Sequence, residues 1–478
     1  MLLSSRRSFL SAVVVCLFAA FTPCWSQSPT PNRHKALAIG VDYADMIALG
    51  YENGYLYNAE KIRDLMKMIK QGAIDEVYWR VSAVGLVTYP SKVMTVMNGA
   101  GLTNKVFSPA GVIMRQCDPL AVAIEEAHKQ GMKIYVYVTL FDFSFPGLEN
   151  QFFAKHPEYW SRLGGVVADN VRPELPGSRD LAEFSKENST GLIATSLTEA
   201  ETTGIPAFVR GVPDYGFPEV RDYVLSEVKE IIGYKPDGVY FDVSRTHSGI
   251  YPVLAYGWYP QWTSPYLKYG YNEPEVALYR KLYGKNPPLR SVISLQDLEE
   301  TPEERNWNAV RGSFLTEFIR EASQLVHAAG MKVAVDFYPS TYNNFQPGAQ
   351  TRQQLGRMKI DWKKWADERL VDVIRLNIDH RKHGYDDWVD ASAETYKYAQ
   401  DRGVKVYVDC AIDGVFDMLK KPPAPLPILK DKQPDLYYKI VHDVTQNIVN
   451  SSADGVFYYE AYEKDDALYR AIRTGAGR

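Results

Sequence analysis

Short apolar runs rich in Val, Ile and Tyr alternate along the chain with longer segments in which apolar residues recur every three or four positions. The first pattern is typical of buried β-strands and the second of helices with one buried face. Their alternation predicts βα units that feed a parallel sheet. The eight predicted strands are residues 34–42, 76–82, 133–142, 238–244, 332–339, 371–379, 405–413 and 455–462.

Three of these strands are preceded by nearly the same local sequence. The segments "HKQGMKIYVYV", "HAAGMKVAVDF" and "QDRGVKVYVDC" each join a helix to a strand, and Gly131, Gly330 and Gly403 are predicted to end the helices. This recurrence favours an α/β fold of the (β/α)8 TIM-barrel type over the alternative, an open doubly wound sheet. We predict a single barrel domain over residues 34–478.

Two loops of the predicted barrel are much longer than usual. Residues 144–217 follow the third strand and residues 246–301 follow the fourth. The second insertion is rich in aromatic rings, among them Trp258, which could stack on a ligand. A packed aromatic cluster that steadies the loop is the alternative. Barrel chemistry lies at the carboxyl ends of the strands, so both insertions are expected to shape a substrate cleft.

The first 26 residues have a basic start, an apolar stretch of about a dozen residues and small residues near the end, as in a cleaved export signal. Arg6 and Arg7 resemble the pair of a twin-arginine signal, although Ser11 stands where Lys is usual. An ordinary secretory signal is the alternative. Residues 27–33 are predicted to form a short leader. We expect a periplasmic or extracellular protein without a later membrane span, because no later stretch is apolar for the ~20 residues that a span needs.

Composition narrows the choice of partner. The chain has 478 residues and a net charge of −4, with no basic patch for nucleic acid. Its 33 Tyr and 9 Trp favour a polyhydroxylated ligand, because such rings both stack and donate hydrogen bonds. Cys117 and Cys410 are predicted to be structural thiols, since sequence does not reveal whether they lie close enough for a disulfide.

Carboxylates recur where the predicted strands end. A charged group there is costly to desolvate unless it faces a cleft, so the repetition predicts a polar pocket. Asp242 in "DGVYFDVSR" is the strongest candidate, because Asp237-Gly238 starts the strand and Asp242 ends it. Capping or salt bridging is the alternative for any one of them. The set is Asp42, Asp142, Asp242, Asp336, Asp379, Asp409, Asp413 and Glu460.

Paired carboxylates point to hydrolysis of a glycosidic bond, in which one group stays ionised and the other is held protonated. Arg80, Arg245 and Arg375 are candidate cations beside the ionised group. No cofactor is predicted, because the chain has no nucleophile elbow, Walker loop or redox fingerprint. No metal site is predicted either, since His380 and His383 are more typical of solvated loop residues than of ligands.

Several motifs in residues 214–335 resemble those of the bacterial family-ten-like glycosyl hydrolases. A "P-V-R" helix precedes a "DG-hydrophobic-x-FD" strand, and "Y-x-x-x-x-G" and "W-x-x-x-R" helices follow; "HPEYW" at 156–160 resembles the loop after strand three. The Tyr-Pro pair usual after the strand-four Asp is replaced by Ser244-Arg245-Thr246-His247. The matching residues are Asp214, Pro218, Arg221, Asp237, Gly238, Phe241, Asp242, Tyr279, Gly284, Trp307 and Arg311.

This resemblance implies a TIM barrel that acts on carbohydrate, with Asp242 as the nucleophile. A looser similarity to the α-galactosidase superfamily implies that Asp379 is the acid, and Asp336 and Glu460 are the alternatives. We therefore expect an exported glycoside hydrolase; the other hypotheses are a carbohydrate-binding barrel without catalysis and a lyase or transferase. The predicted substrate-binding residues are Arg80, Asp142, Arg245, Trp258, Tyr338, Asn377 and Glu460.

Overall fold

Eight parallel strands close into a barrel in the computed structural model. The structure describes residues 34–44, 46–47, 57–98, 108–145, 148–162, 208–243, 270–288, 301–337, 358–376, 393–410, 433–458 and 465–478. The barrel strands lie in the compact unit Lys35–Arg478. They are β1 Ala36–Val41, β2 Glu76–Arg80, β3 Lys133–Thr139, β4 Gly238–Asp242, β5 Lys332–Phe337, β6 Val373–Leu376, β7 Lys405–Cys410 and β8 Gly455–Tyr458.

Each strand pairs in parallel with the next, and β8 pairs with β1 to complete the ring. All eight predicted strands are present and the predicted (β/α)8 fold is confirmed. An open sheet is wrong, because the pairing of Leu37 with Val456 leaves no edge between the first and last strands.

Helices connect the strands and cover the outside of the barrel. Gly131, Gly330 and Gly403 have φ angles of 68°, 75° and 79°, so they end the preceding helices as predicted. The described helices are α1 Ala59–Gln71, α2 Ser108–Gln116, α3 Pro119–Lys129, α4 Gln151–Lys155, α5 Pro218–Gly233, α6 Glu273–Tyr283, α7 Pro302–Ala328, α8 Trp362–Asp367, α9 Ala393–Gln400, α10 Pro434–Asn450 and α11 Asp466–Gly475.

An aspartate immediately precedes each even-numbered strand, at the amino-terminal rim of the barrel. These residues are Asp75, Asp237, Asp372 and Asp454. Each carboxylate accepts a hydrogen bond from a backbone amide of the preceding odd-numbered strand, and each aspartate amide donates to the carbonyl of that same residue. The carboxylates accept from the amides of Leu37, Ile134, Val333 and Val406 at 2.9, 2.9, 2.9 and 3.0 Å respectively.

Two sets of apolar residues alternate along the strands, because successive side chains point to opposite faces. One set packs against the helices and forms the large outer core, which includes Val239 and Phe241. The other fills the inside of the ring, and we call it the inner cluster. Its members are Ala36, Ala38, Tyr78, Tyr135, Tyr137, Tyr240, Ala334, Val373, Tyr407 and Phe457.

The described parts of the two insertions contain short strands and helices, among them α4 in the first insertion. A bulged antiparallel pair joins Trp160–Arg162 to Phe208–Pro213 in the insertion after β3. Helix α6 belongs to the insertion after β4. Cys117 and Cys410 are both thiols, and burial raises the pKa of Cys117. Among the residues described, no helix is long and apolar enough to cross a bilayer.

Candidate active site

Polar side chains, most of them charged, form the inward-facing layer at the carboxyl-terminal end of the barrel, which we call the mouth. Asp242 lies two residues beyond Tyr240, and Asp336 two beyond Ala334, so both share the inward face with the inner cluster. The same spacing applies to the neighbouring strands. This layer consists of Arg80, Thr139, Asp242, Asp336, Arg375 and Asp409, all of which are buried.

Arg80, at the end of β2, binds carboxylates on two sides. Its Nη1 donates to Oδ2 of Asp42 at 2.5 Å, and its Nη2 donates to Oδ2 of Asp142 at 2.6 Å. Its Nε donates to the carbonyl of Ser82 at 2.9 Å. Arg80 and Asp142 therefore form a buried triad with Asp42, and contact of either one with a substrate stays a prediction.

Arg375 forms a second ion pair at the mouth, between the adjacent strands β6 and β7. Its Nε and Nη2 donate to the two oxygens of Asp409 at 2.6 and 2.8 Å, and its Nη1 donates to the hydroxyl of Tyr240 at 2.9 Å. Burial alone would lower the pKa of Arg375, but the charge of Asp409 raises that pKa well above its ordinary value. Burial raises the pKa of Asp409, and the guanidinium opposes that rise. The fork geometry fixes both side chains on β6 and β7.

Asp242 and Asp336 are neighbours across β4 and β5. Phe241 pairs with Val335, so the two aspartates are the next residues along strands that lie about 4.8 Å apart. The hydroxyl of Tyr137 donates to Oδ2 of Asp242, and the amide of Val243 donates to Oδ1 of Asp336 at 2.8 Å. Both carboxylates thus have a neutral donor in the described part of the site, whereas Asp409 is bound to an arginine.

The pair Asp237-Gly238 does not single out β4 as a catalytic strand. Asp237 accepts from the amide of Ile134 and lies 2.9 Å from Nε2 of His128, at the end of the strand opposite to Asp242. Aspartates occupy the same place before β2, β6 and β8. The aspartate, without a fixed residue after it, is a structural feature of the even-numbered strands, and the case for Asp242 depends on its place in the mouth.

Several residues that carry the family resemblance lie together outside the barrel. The carboxyl groups of Asp214 and Glu275 hydrogen-bond each other, and the positive charge of Arg311 acts on both. The amide of Gly216 donates to Asp214 at 2.8 Å, and a Cβ at Gly216 would lie 2.4 Å from Glu275 Oε1. This cluster joins the turn before α5 to helices α6 and α7.

Aromatic rings extend the same cluster. Trp307 lies 4.8 Å from Tyr271 and 5.5 Å from Tyr279 between ring centroids, and the Arg311 guanidinium lies 5.8 Å from the Trp307 ring. In the described structure, the motif residues Asp214, Tyr279, Trp307 and Arg311 therefore pack α6 against α7. These residues support the insertion after β4.

Four of the predicted site residues are described: Asp242, Asp336, Arg80 and Asp142 all reach the mouth. The other six lie outside the described residues, and the functional roles of all ten stay predictions. The six are Asp379, Arg245, Trp258, Tyr338, Asn377 and Glu460.

Sequence reasoning missed the tyrosines beneath the mouth. Tyr137 and Tyr240 are 1% and 0% exposed, and their rings meet edge to face with centroids 4.8 Å apart. The sequence does carry a signal for such tyrosines. Two Tyr occupy alternate positions of "KIYVYVT", and a buried phenol hydroxyl usually has a hydrogen-bond partner. Burial raises the pKa of Tyr240 well above its ordinary value, and the charge of Arg375 opposes the rise.

Within the part of the chain that the structure describes, no cluster of three or more His, Cys, Asp or Glu residues could hold a metal ion. His380 and His383 lie outside that part.

Sequence comparison finds a distant relative and no matching family model. The glycosyl hydrolase DigH of Escherichia coli (strain K12) is 25% identical over 180 residues, which cover 37% of this chain and 33% of that protein. The chain thus matches about a third of the length of its curated relative. Membership of the family-ten-like glycosyl hydrolases stays a prediction.

Comparison with solved structures finds many matches, several of which are named as glycoside-cleaving enzymes. Alpha-L-fucosidase isoenzyme 2 from Paenibacillus thiaminolyticus has a TM-score of 0.47 at 14% identity, over 93% of this chain and 49% of that one. Trehalose-6-phosphate hydrolase from Bacillus licheniformis has a TM-score of 0.49 at 13% identity, over 89% of this chain and 64% of that one.

Proposed function

We propose that this protein is a glycoside hydrolase that cleaves a poly- or oligosaccharide with carboxylates at the mouth of the barrel. The observation that carries the proposal is the placement of Asp242 and Asp336, buried and facing inward on adjacent strands. The likeness to a protein named as a glycosyl hydrolase supports it. Lyase or transferase chemistry has no comparable support.

Two carboxylates can perform the whole reaction. Asp242 attacks or stabilises the anomeric carbon, and a second carboxylic acid protonates the leaving oxygen. Water then attacks the anomeric carbon and releases Asp242, and the second group, now a carboxylate, takes the proton of that water. Acid catalysis requires the second group to carry a proton before the bond breaks. Asp336 is the candidate acid in the described structure. Asp379, outside the described residues, is the other candidate.

The charges at the mouth favour an uncharged sugar. Both arginines there are already bound to carboxylates, Arg80 to two and Arg375 to one. An anionic sugar would meet an excess of negative charge in the described part of the mouth. We therefore propose a neutral glycan as substrate. The buried carboxylates at the mouth are those of Asp42, Asp142, Asp242, Asp336 and Asp409.

A panel of neutral and uronate-containing polysaccharides, together with aryl glycosides of the common neutral sugars, tests the activity. Reducing-end release from a neutral glycan, and none from its uronate counterpart, is the expected result. Binding without cleavage across the whole panel would support the alternative, a carbohydrate-binding barrel. That alternative is favoured by one feature, the segment Ser244-Arg245-Thr246-His247 in place of the family's Tyr-Pro pair.

Leaving-group dependence separates the two carboxylates. Asp336→Asn should lose activity on a natural glycan but keep it on a dinitrophenyl glycoside, whose leaving group needs no proton. Asp242→Asn should lose activity on both. If Asp336→Asn cleaves the natural glycan at the wild-type rate, Asp336 is not the acid, and Asp379→Asn becomes the variant to compare.

We also propose that the chain is exported, on the evidence of its first 26 residues. Fractionation of cells that express the full chain tests this, with the Arg6→Lys, Arg7→Lys double variant as the comparison. Accumulation of the double variant in the cytoplasm would support the twin-arginine route, and unchanged export would support an ordinary secretory signal. A wild-type protein that stays unprocessed in the cytoplasm would contradict export.

A further inference from the structure

The side chain of Tyr137 hydrogen-bonds to Asp242 from the layer of the barrel beneath the mouth. Tyr137 lies on β3, opposite Tyr240 of β4. Its hydroxyl donates a hydrogen bond to Oδ2 of Asp242. Tyr137 is 1% exposed and Asp242 is 2% exposed, so the contact is buried. Buried hydrogen bonds to an ionised group are among the strongest that a neutral donor makes.

The ring of Tyr137 is held in place by its neighbours. Tyr240 packs edge-on against it at 4.8 Å between centroids, and the Arg80 guanidinium lies 5.8 Å from its centroid on the other strand neighbour, β2. Arg375 donates to the Tyr240 hydroxyl and is itself bound to Asp409. The two buried ion pairs thus support the ring pair from both sides.

We infer that Tyr137 is a positioning residue for the reaction proposed above: its hydroxyl fixes the side-chain rotamer of Asp242 and stabilises the ionised carboxylate that faces the anomeric carbon. This inference depends on the proposed function of Asp242 but not on which residue is the acid. A hydrogen bond to the charged form of a carboxylate favours that form, so the effect has a definite sign in pH. A tyrosine that only filled the barrel would act through its ring alone.

The variant Tyr137→Phe removes the hydroxyl and keeps the ring. Loss of one hydrogen bond to a charged group should lower kcat by about ten- to a hundredfold, with little change in KM. The acid limb of the pH profile of kcat/KM should move to higher pH, because the carboxylate now needs a higher pH to ionise. Tyr135→Phe is the matched control. It lies on the same strand, two residues nearer the amino-terminal rim, and stacks on Tyr78.

Crystal structures of the wild type and of Tyr137→Phe give a readout that needs no turnover. A rotated Asp242 side chain in the variant is expected. Unchanged kcat, pH profile and Asp242 rotamer in Tyr137→Phe, in a wild-type enzyme that is active, would overturn the inference and leave the proposed function standing. A wild type without activity on any glycan would sink the proposed function, and the structures would then decide whether Tyr137 orients Asp242 for ligand binding.

Discussion

The carboxyl groups of Asp214 and Glu275 hydrogen-bond each other, although strand β4 lies between them in the sequence. They are 6% and 3% exposed. Burial raises the pKa of Asp214, and burial together with the charge of Asp214 raises the pKa of Glu275 well above its ordinary value. A carboxyl pair of this kind shares a proton, so the contact that anchors α6 depends on pH.

The pair should make the fold less stable as pH rises. A carboxyl group whose pKa is higher in the folded protein than in the unfolded chain stabilises the fold fully below its unfolded pKa, and this stabilisation is lost as pH rises through the folded pKa. Glu275→Gln keeps a neutral donor for Asp214 at every pH. The variant's free energy of unfolding, from urea titrations between pH 4 and 9, should therefore fall less steeply than that of the wild type.

The matched control is Glu273→Gln, an exposed carboxylate in the same turn of α6. It should give the wild-type slope. Parallel curves for Glu275→Gln and the wild type would show that the two carboxyl groups do not share a proton.

Glu227 is a second buried acid, on the inner face of α5. It is 0% exposed, and neither carboxyl oxygen has a hydrogen-bond partner among the described residues. Burial, helped by the charge of Glu230, raises its pKa from 4.5 to about 8. Between those two values the wild type should lose up to about 1.4 kcal/mol of unfolding free energy per pH unit, because the unfolded chain releases a proton that the folded protein keeps.

Glu227→Gln should remove that loss, so that the variant gains stability relative to the wild type as pH rises toward 8. Asp222→Asn, on the exposed face of the same helix, is the control. Urea titrations at several pH values measure both. A constant difference between Glu227→Gln and the wild type would contradict a proton held at Glu227.

Substitutions at the two ends of β4 should have different effects: one at Asp237 should lower stability, and one at Asp242 should lower activity. Asp242→Asn should lower kcat by about a thousandfold or more if Asp242 is the nucleophile, while the thermal midpoint stays almost unchanged. Asp237→Ala removes the partner of the Ile134 amide and should cost about 1 to 3 kcal/mol of stability. The remaining folded fraction of that variant should keep its kcat. A large loss of stability with retained activity in Asp242→Asn would contradict the catalytic assignment.

Arg375 and Asp409 should affect the free energy of unfolding mainly through the ion pair between them. Arg375→Met leaves a buried carboxylate without its bidentate partner and should lower the free energy of unfolding by about 3 to 5 kcal/mol. The double variant Arg375→Met, Asp409→Leu should be less destabilised than the single one. Denaturant titrations of both variants measure this. Equal losses would mean that Asp409 has another counter-charge.

The sequence predicts the strands better than it predicts their inner faces. Gly131, Gly330 and Gly403 mark the starts of three strands, because a helix that ends in the left-handed conformation favours Gly. Both faces of a barrel strand are buried, so the run "GVYFD" does not show that Tyr240 points inward and Phe241 outward.

The roles of the charged residues at the mouth were harder to predict. Arg80 is 38 residues from Asp42 and 62 from Asp142, and the parallel pairing of β1, β2 and β3 brings their side chains into contact. The sequence correctly placed Asp242 and Asp336 at strand ends, since polar residues after a buried run mark the carboxyl end. It did not show that Asp237 belongs to a structural repeat, because that repeat is defined by the hydrogen bonds that Asp75, Asp372 and Asp454 also accept at the rim.

Those four rim aspartates divide the ring into four two-strand units. In each unit the carboxylate accepts a hydrogen bond from the neighbouring strand. These hydrogen bonds lie at the end of the barrel farthest from the mouth. The loops around the mouth can therefore change length and composition without disturbing the pairing of the strands at the rim. Such a scaffold should tolerate loop exchange: foreign insertions grafted after β3 and β4 should reshape the mouth while the barrel itself keeps its structure.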